Sequence, residues 1–147
     1  MIAHLLTDQD RTFLAAQPVA RLATSDSTGM PHVVPICFVI IDNVLYFTID
    51  EKPKAVDSRQ LKRLRNIAEN NQAAVIIDRY ADDWALLGWV MLRGTAEIID
   101  RGEEHDRAQD ALKARYPPYR AMQLSSFPVI ALRVQRVSRW GNLDPSP

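Results

Sequence analysis

The stretch PHVVPICFVIIDNVLYFTID, residues 31–50, predicts two β-strands joined by a tight turn. Apolar and β-branched residues fill both halves, and Asp42 and Asn43 between them are residue types that tight turns favour. Pro35 lies inside the first strand and has no backbone N–H to donate, so it argues for an edge strand or a β-bulge. The stretch therefore predicts a hairpin that belongs to a larger sheet.

Strand patterns continue on both sides of this hairpin. Upstream, a strand ends in the turn SDSTG, residues 25–29, where Gly29 suits a positive φ. Downstream, residues 73–80, 87–100 and 128–140 each predict a further strand. About six strands with short helices between them predict a mainly β fold, a closed or partly closed antiparallel barrel. An open sheet of this size would leave hydrophobic edges exposed.

Three helices are predicted, one before the first strand and two between later strands. The first covers residues 6–17, with Thr7 as its N-cap and aspartates in its first turn. The second runs roughly from residue 58 to residue 70 and places apolar residues at helical spacing on one face. The third covers residues 101–116. Its segment EEHD, residues 103–106, is not a zinc motif and is predicted to face water.

Composition indicates an ordinary globular domain. The chain has 147 residues, 47% hydrophobic and 24% charged, which predicts a single domain over residues 1–147. Eighteen basic residues balance eighteen acidic ones, whereas a general nucleic-acid binder is usually more basic. The sequence has neither a signal-peptide pattern nor an apolar run of membrane-spanning length, so we expect a cytoplasmic protein without a membrane partner. The one cysteine, Cys37, excludes an internal disulfide.

Basic residues gather where the third strand passes into the second helix. They are Lys52, Lys54, Arg59, Lys62, Arg63 and Arg65, against three acids between residues 50 and 65. Converging cations, and arginine forks in particular, suit the oxygens of a dianionic phosphate. A solvated helix face is the alternative, since most charge runs are of that kind. The residues alone leave both interpretations open.

Three tryptophans stand out in a chain that is only 7% aromatic. Trp84, Trp89 and Trp140 are candidates for stacking on a flat ligand or for anchoring an interface. Core packing is the alternative for Trp89, whereas Trp84 follows two aspartates. No nucleophile elbow, glycine-rich phosphate loop or metal-binding histidine spacing is present, and no catalytic side chain is assigned. Redox chemistry here would come from a cofactor.

Three pieces of the chain resemble a known family. They are ARLATSDSTGMPHVVPICF (20–38), LYFTIDEKPK (45–54) followed by LKRLRNI (61–67), and DRYADDWALLGWVMLRGTAEII (78–99). Together they resemble the split β-barrel proteins related to pyridoxamine phosphate oxidase, especially the branch of probable coenzyme F420-dependent enzymes. The likeness covers about residues 8–136. It implies a six-stranded antiparallel split barrel of the FMN-binding type and a homodimer with two cofactor sites at the subunit interface.

The resemblance also implies which residues bind the cofactor. The phosphate of coenzyme F420, or of FMN as the alternative, would contact Lys54, Arg59, Lys62 and Arg63. Lys52 would point either to an acidic cofactor tail or to solvent, and Asn66 would contact the phosphate or lie exposed on the helix. The ring would lie along Pro35, Ile36, Cys37, Thr48, Ile49 and Asp50, although sheet pairing or an edge proline explains some of these equally well. Arg79, Tyr80 and Trp140 are candidates for contributions from the partner subunit, and Trp84 and Trp89 for stacking or interface contacts.

The function that this implies is hydride transfer to a small unsaturated or planar substrate. Cations in excess of one phosphate fit coenzyme F420, which carries an acidic tail, better than FMN. An FMN-dependent oxidoreductase, or a module that binds the cofactor without turnover, would use the same residues. A nucleic-acid-binding barrel is disfavoured by the neutral charge. True pyridoxamine phosphate oxidases have a long C-terminal substrate motif that this sequence lacks, which argues against vitamin B6 chemistry.

Overall fold

The computed structural model describes residues 5–49 and 61–145 and shows a mainly β protein. Within those ranges, no helix is both long and apolar enough to cross a bilayer. The elements are α1 (Asp8–Ala16), β1 (Ala20–Ser25), β2 (Pro31–Ile36), β3 (Val39–Ile41), β4 (Val44–Thr48), α2 (Lys62–Glu69), β5 (Gln72–Arg79), β6 (Gly88–Ile99), α3 (Glu103–Arg115) and β7 (Val129–Gly141), with short 3₁₀ turns at Trp84–Leu86, Pro117–Ala121 and Leu124–Ser126.

The described strands form one sheet in the order β2-β1-β5-β6-β7-β4-β3, and each pair of neighbours is antiparallel. The two outermost strands, β2 and β3, are consecutive in the chain and are separated only by Cys37 and Phe38. A sheet whose two edges are joined by two residues has to curl back on itself. The predicted antiparallel barrel is therefore confirmed, and β2, which contains Pro35, is an edge strand as expected.

The strand count differs from the prediction, because residues 31–41 form two strands and not one. The chain leaves the ladder at Phe38, whose backbone N–H donates to the Tyr116 hydroxyl at 3.0 Å. The Phe38 carbonyl accepts hydrogen bonds from Arg115 (2.7 Å) and from Tyr116 (3.0 Å). Side chains from the end of α3 thus replace sheet partners, and the described residues contain seven strands where six were expected.

The long strands β6 and β7 connect the two halves of the barrel. They pair along almost their full length, with a β-bulge at Arg93 and Gly94. A Cβ atom on Gly94 would collide with the backbone carbonyl of Arg133, so only glycine fits at this bulge. The bulge increases the local twist, so that β7 can pair with β6 on one side and with β4 on the other.

Two apolar clusters hold the fold together. The inner faces of the strands meet in the first cluster, where Leu22, Phe47 and Leu92 are at most 1% exposed. Helix α3 covers the outside of β3, β4 and β7 in the second cluster, which contains Tyr46 and Leu112. Residues alternate between the two faces of each strand, so β4 and β7 contribute to both clusters.

Helix α1 begins at the predicted N-cap and is fixed to β7. Thr7 and Asp10 form a capping box, with the Thr7 hydroxyl accepting from the Asp10 N–H at 3.0 Å. The buried Asp10 carboxylate also accepts from Arg139 at 2.6 and 2.7 Å. Burial alone would raise the pKa of Asp10, but the hydrogen bonds from Arg139 and Thr7 outweigh it and hold the pKa below its ordinary value.

Arg115, the last residue of α3, joins three parts of the fold. Besides Phe38, its guanidinium donates to the carbonyls of Leu14, Ala15 and Gln17, the end of α1, at 2.6–3.2 Å. It also lies 4.5 Å from the centroid of the Phe38 ring. One side chain therefore caps α1 and fixes the link between β2 and β3.

We expect Arg115→Ala to lower the free energy of unfolding by about 3 kcal/mol, because several carbonyls lose a charged donor at once. Chemical denaturation at neutral pH measures this change. Arg101→Ala is the control: Arg101 is exposed, and its replacement should change the free energy of unfolding by less than about 0.5 kcal/mol. Equal stability of the two variants would contradict the stabilising role assigned to Arg115.

Candidate functional site

Helix α2 carries the described part of the basic cluster. It packs beside β1 and β6, with Leu64 and Ile67 buried in the barrel core. Lys62 and Arg63 are half-buried and Arg65 is exposed. The predicted division of this helix into an apolar and a basic face is therefore confirmed for these residues.

The start of α2 is electrostatically unusual. Its first turn contains Lys62, Arg63 and Arg65 and no acid, and the N-cap residue Leu61 forms no side-chain cap. Backbone N–H groups at a helix start lack intrahelical partners, and the helix dipole disfavours cations there. An anion bound at this end would satisfy the N–H groups and offset the repulsion. The described part of the cluster thus has the character of an anion site.

Lys62 has one partner that the sequence did not reveal. Its Nζ lies 3.6 Å from a carboxylate oxygen of Asp26 in the turn between β1 and β2. That carboxylate accepts from the Thr28 hydroxyl at 2.6 Å and from the Met30 N–H at 3.1 Å. These hydrogen bonds, that of the hydroxyl above all, lower the pKa of Asp26 to about 2. Asp26 therefore stays ionised and draws Lys62 toward this turn.

Asn66, a candidate phosphate contact in the sequence analysis, lies in the interior of the protein and not on an exposed helix face. Asn66 is fully buried, and its Nδ2 donates to the Thr24 hydroxyl at 3.1 Å. Its Oδ1 has no hydrogen-bond partner among the described residues, and neither does Nδ1 of His32, which lies opposite Thr24 on β2. The Asn66 amide thus holds α2 on the sheet and does not face an exposed ligand site.

The end of β4 is fixed by a buried polar network. Thr48 pairs with Val129 in the sheet, and its hydroxyl donates to the Pro128 carbonyl at 3.1 Å. The same hydroxyl accepts from Gln109 of α3 at 2.8 Å, and Ile49 beside it is fully buried. Sheet pairing, the alternative considered from the sequence, therefore accounts for Thr48.

Helix α3 supplies this network with residues that sequence reasoning missed. His105 was expected to face water within EEHD, but it is 1% exposed. Its ring nitrogens lie 2.7 Å from the Phe127 carbonyl and 3.0 Å from the Asp106 carboxylate. The spacing of His105 and Gln109, one helical turn apart, is the signal that the two share a buried face.

Four aromatic side chains occur at the ends of β5, β6 and β7, which we call the aromatic end: Tyr80, Trp84, Trp89 and Trp140. Trp89 and Trp140 are directly opposite each other on β6 and β7. Tyr80, Trp84 and Trp140 are 70%, 73% and 52% exposed, while Trp89 is half-buried. Core packing is therefore excluded for Trp84, and the aromatic end is available for a ligand or a second chain.

Comparison with protein families matches residues 6–141 to the family described as pyridoxamine 5'-phosphate oxidase. The chain belongs to this family. A relative, the 5a,11a-dehydrotetracycline/5a,11a-dehydrooxytetracycline reductase of Streptomyces rimosus, is 30% identical over 102 residues, which cover 69% of each protein. The resemblance recognised in the sequence is thereby confirmed.

Solved structures show the same fold. The heme-binding protein of Mycobacterium smegmatis is 26% identical with a TM-score of 0.74; the match covers 91% of this chain and 53% of that one, so this chain spans about half its length. The heme storage protein of Vibrio cholerae is 18% identical with a TM-score of 0.73, covering 92% of this chain and 94% of that one. The latter likeness is one of fold alone.

Other residues predicted for the site lie at several places in this family fold. Pro35 is exposed on the edge strand β2, Ile36 is buried and Cys37 is half-buried in the link to β3. Arg79 donates to backbone carbonyls of its own chain, which are those of Leu86 (2.9 Å), Asn142 (2.8 Å) and Asp144 (2.6 Å). Arg79 therefore fastens the turn before β6 to the segment after β7 within its own chain, and its contribution to a partner subunit's site stays a prediction.

Four predicted site residues lie outside the described residues: Asp50, Lys52, Lys54 and Arg59. Their roles stay predictions. Within the described ranges no group of three histidine, cysteine or acidic side chains is arranged to hold a metal ion. The described candidates are thus the first turn of α2, the end of β4 and the aromatic end.

We expect Asn66→Ala to loosen α2 by about 1–2 kcal/mol, because the buried Thr24 hydroxyl loses its partner. Amide hydrogen exchange followed by NMR should show exchange in α2 that is faster by about tenfold. Arg65→Ala, an exposed position on the same helix, is the matched control and should leave the exchange rates unchanged. If both variants exchange like the parent protein, Asn66 does not hold the helix.

Proposed function

We propose that this protein is an oxidoreductase that binds a flavin-type cofactor, coenzyme F420 in the first place, through a phosphate at the start of α2. The observation that carries this proposal is the turn formed by Lys62, Arg63 and Arg65, which has three cations, no acid and no side-chain cap. A phosphate there would accept hydrogen bonds from N–H groups at the helix start and from the cationic side chains.

Family membership supports redox chemistry over the other uses of an anion site. The relative from Streptomyces rimosus is a reductase of a dehydro compound, which favours delivery of hydride to an unsaturated substrate. When bound, a deazaflavin or flavin supplies that hydride. FMN is the alternative cofactor, since its phosphate would bind the same groups at the start of α2. The further cations predicted in residues 52–59 favour coenzyme F420, whose acidic tail they would neutralise.

The chain's own groups would bind the cofactor, orient it toward the substrate and exclude water from the reacting atoms. Lys62 and Arg63 would hold the phosphate, while the Thr48–Gln109 hydrogen bond keeps the end of β4 in place where the chain enters the basic segment. Holding the reactive atoms of substrate and cofactor at attack distance and excluding water are the principal contributions of such a site. No described side chain is assigned as a proton donor.

We also propose a homodimer in which the aromatic end of one subunit covers the cofactor of the other. Tyr80, Trp84 and Trp140 are too large and too exposed for an isolated surface, and such side chains commonly carry the binding energy of interfaces. They continue into a sheet face that no described element covers, which contains the half-buried Ile76 and Met91 and the exposed Val33. A second copy would remove this face from water.

Binding without turnover is the second candidate function, favoured by the heme-binding and heme storage proteins that share the fold. Heme itself fits the described residues less well. A heme iron needs an axial ligand such as histidine, and both ring nitrogens of the buried His105 are already engaged. His32 is half-buried beside Thr24.

Titration of the purified protein with coenzyme F420, FMN and heme, followed by fluorescence and absorbance, tests the cofactor. We expect Lys62→Ala, Arg63→Ala and Lys54→Ala each to raise the Kd for coenzyme F420 by about tenfold to a hundredfold, because each removes a charge-assisted hydrogen bond. Arg101→Ala is the control and should bind as the parent does.

Unchanged affinity in all three variants would contradict the proposed position of the phosphate at the start of α2. Tight binding of heme, with no binding of coenzyme F420 or FMN, would contradict the proposed flavin-type cofactor and favour a heme-binding function. If coenzyme F420 binds but no acceptor is reduced by its reduced form, the non-catalytic candidate is favoured.

Trp84→Ser and Trp140→Ser test the dimer. We expect each to raise the dimer dissociation constant by about thirtyfold, the effect of losing one large interface anchor, and to weaken cofactor binding in parallel. Sedimentation equilibrium measures the association. Lys113→Ala, on the helix that covers the other side of the barrel, should leave it unchanged. A parent protein that is monomeric at all concentrations would refute the shared site.

A further inference from the structure

A groove of about 430 Å³ lies between helices α1 and α3, beside the strand β3. Val39 and Ile40 of β3, Ala15 of α1 and Ala111 of α3 give it an apolar lining. Strand β3 is at the edge of the sheet, and both helices contact it. Because each helix presents only an alanine here, no larger side chain fills the space between them. The volume lies in the range of pockets that hold small organic ligands.

The groove lies on a different side of the barrel from the face proposed for the second copy. Val39 belongs to the cluster in which α3 covers the outside of β3, β4 and β7. The face of Val33, Ile76 and Met91 is formed by β2, β5 and β6, in the other half of the strand order. The groove also shares no lining residue with the first turn of α2, the end of β4 or the aromatic end. It is therefore separate from the proposed cofactor site and subunit interface.

Two arginines line the same groove. Arg11 of α1 and Arg115 at the end of α3 form no ion pair with a carboxylate in the part of the chain that the structure describes. Arg115 donates to the carbonyls of Phe38 and of the end of α1, so it contributes positive charge without further donors. Arg11 donates through Nη1 to the Asp42 carbonyl at 2.7 Å, which leaves its Nε and Nη2 groups available to a ligand.

The acids nearest in sequence have other partners. Asp10, next to Arg11, accepts two hydrogen bonds from Arg139. Asp110, next to Ala111, lies 3.7 Å from the Nζ atom of Lys113. The groove therefore combines an apolar lining with positive charge that these acids do not neutralise.

We propose that this groove binds a small apolar carboxylate, with its hydrocarbon part against Val39 and Ile40 and its carboxylate at Arg11. The Nε and Nη2 groups of a guanidinium donate two parallel hydrogen bonds to a carboxylate. The apolar lining removes the hydrocarbon part from water, which an inorganic anion lacks. The binding site stands independently of the redox cofactor, because the two share no described residue.

Matched ligands test the two parts of the site. NMR titration of the full chain with octanoate, below its micelle concentration, should give saturable shifts of the Val39 and Ile40 methyl groups. The methyl groups of Ile76, on the other side of the barrel, are the reference and should not shift. Octan-1-ol, which has the same chain length without the charge, should bind about tenfold more weakly. Acetate, which lacks the hydrocarbon chain, should not saturate in the same concentration range.

Variants test the position of the carboxylate and of the hydrocarbon chain. Arg11→Gln should weaken octanoate binding by about tenfold and leave the binding of octan-1-ol unchanged. Ala111→Leu should fill the groove and weaken the binding of both ligands by more than about tenfold, while leucine keeps the helix propensity high. Ala15→Leu, at an exposed position on α1, should do the same and decides the question if Ala111→Leu does not fold. Arg101→Ala is the control and should bind as the parent does.

Four results would contradict the proposal. Equal affinity for octanoate and octan-1-ol, or unchanged octanoate binding by Arg11→Gln, would show that the charge is not recognised. Unchanged binding by the folded leucine variants would place the ligand elsewhere. Linear shifts of equal size at Val39 and Ile76 would indicate non-specific contact. Displacement of octanoate by coenzyme F420 or FMN would merge the groove with the cofactor site, whereas binding of both together supports two separate sites.

Discussion

The fold depends on how the chain crosses from β2 to β3. At Phe38 the backbone leaves the ladder, and polar backbone groups inside a protein need partners. Tyr116 satisfies the N–H, and Arg115 and Tyr116 together satisfy the carbonyl. Because the same guanidinium also caps the end of α1, the closure of the barrel, the N-terminal helix and α3 are stabilised by one set of contacts.

The closed barrel holds the described parts of the candidate site in place. Helix α2 rests on the sheet through Leu64, Ile67 and the Asn66–Thr24 hydrogen bond. The end of β4 is fixed by Gln109. Both elements that border the basic segment are therefore anchored by buried groups, so less conformational entropy would be lost if the proposed cofactor bound there.

Neutral overall charge conceals strong local fields. The eighteen basic and eighteen acidic residues cancel in sum, yet many acids are consumed by specific partners, as Asp10 is by Arg139 and Asp78 by Arg21. Among the described residues, the first turn of α2 contains three cations and no acid of its own, and Arg93 and Arg136 lie opposite each other at the bulge between β6 and β7. A bound anion would offset the repulsion among these cations.

Short-range patterns in the sequence determined much of this protein: the hairpins, the edge position of Pro35, the Thr7 cap and the apolar face of α2. The family resemblance also predicted the split-barrel type of the fold. These features depend on residues that are neighbours along the chain. Only the tertiary structure decided that residues 31–41 break into two strands, that Asn66 and His105 are buried, and that two arginines 43 positions apart become opposite neighbours. Such outcomes depend on strand register and on helix packing, which bring together residues that no local spacing relates.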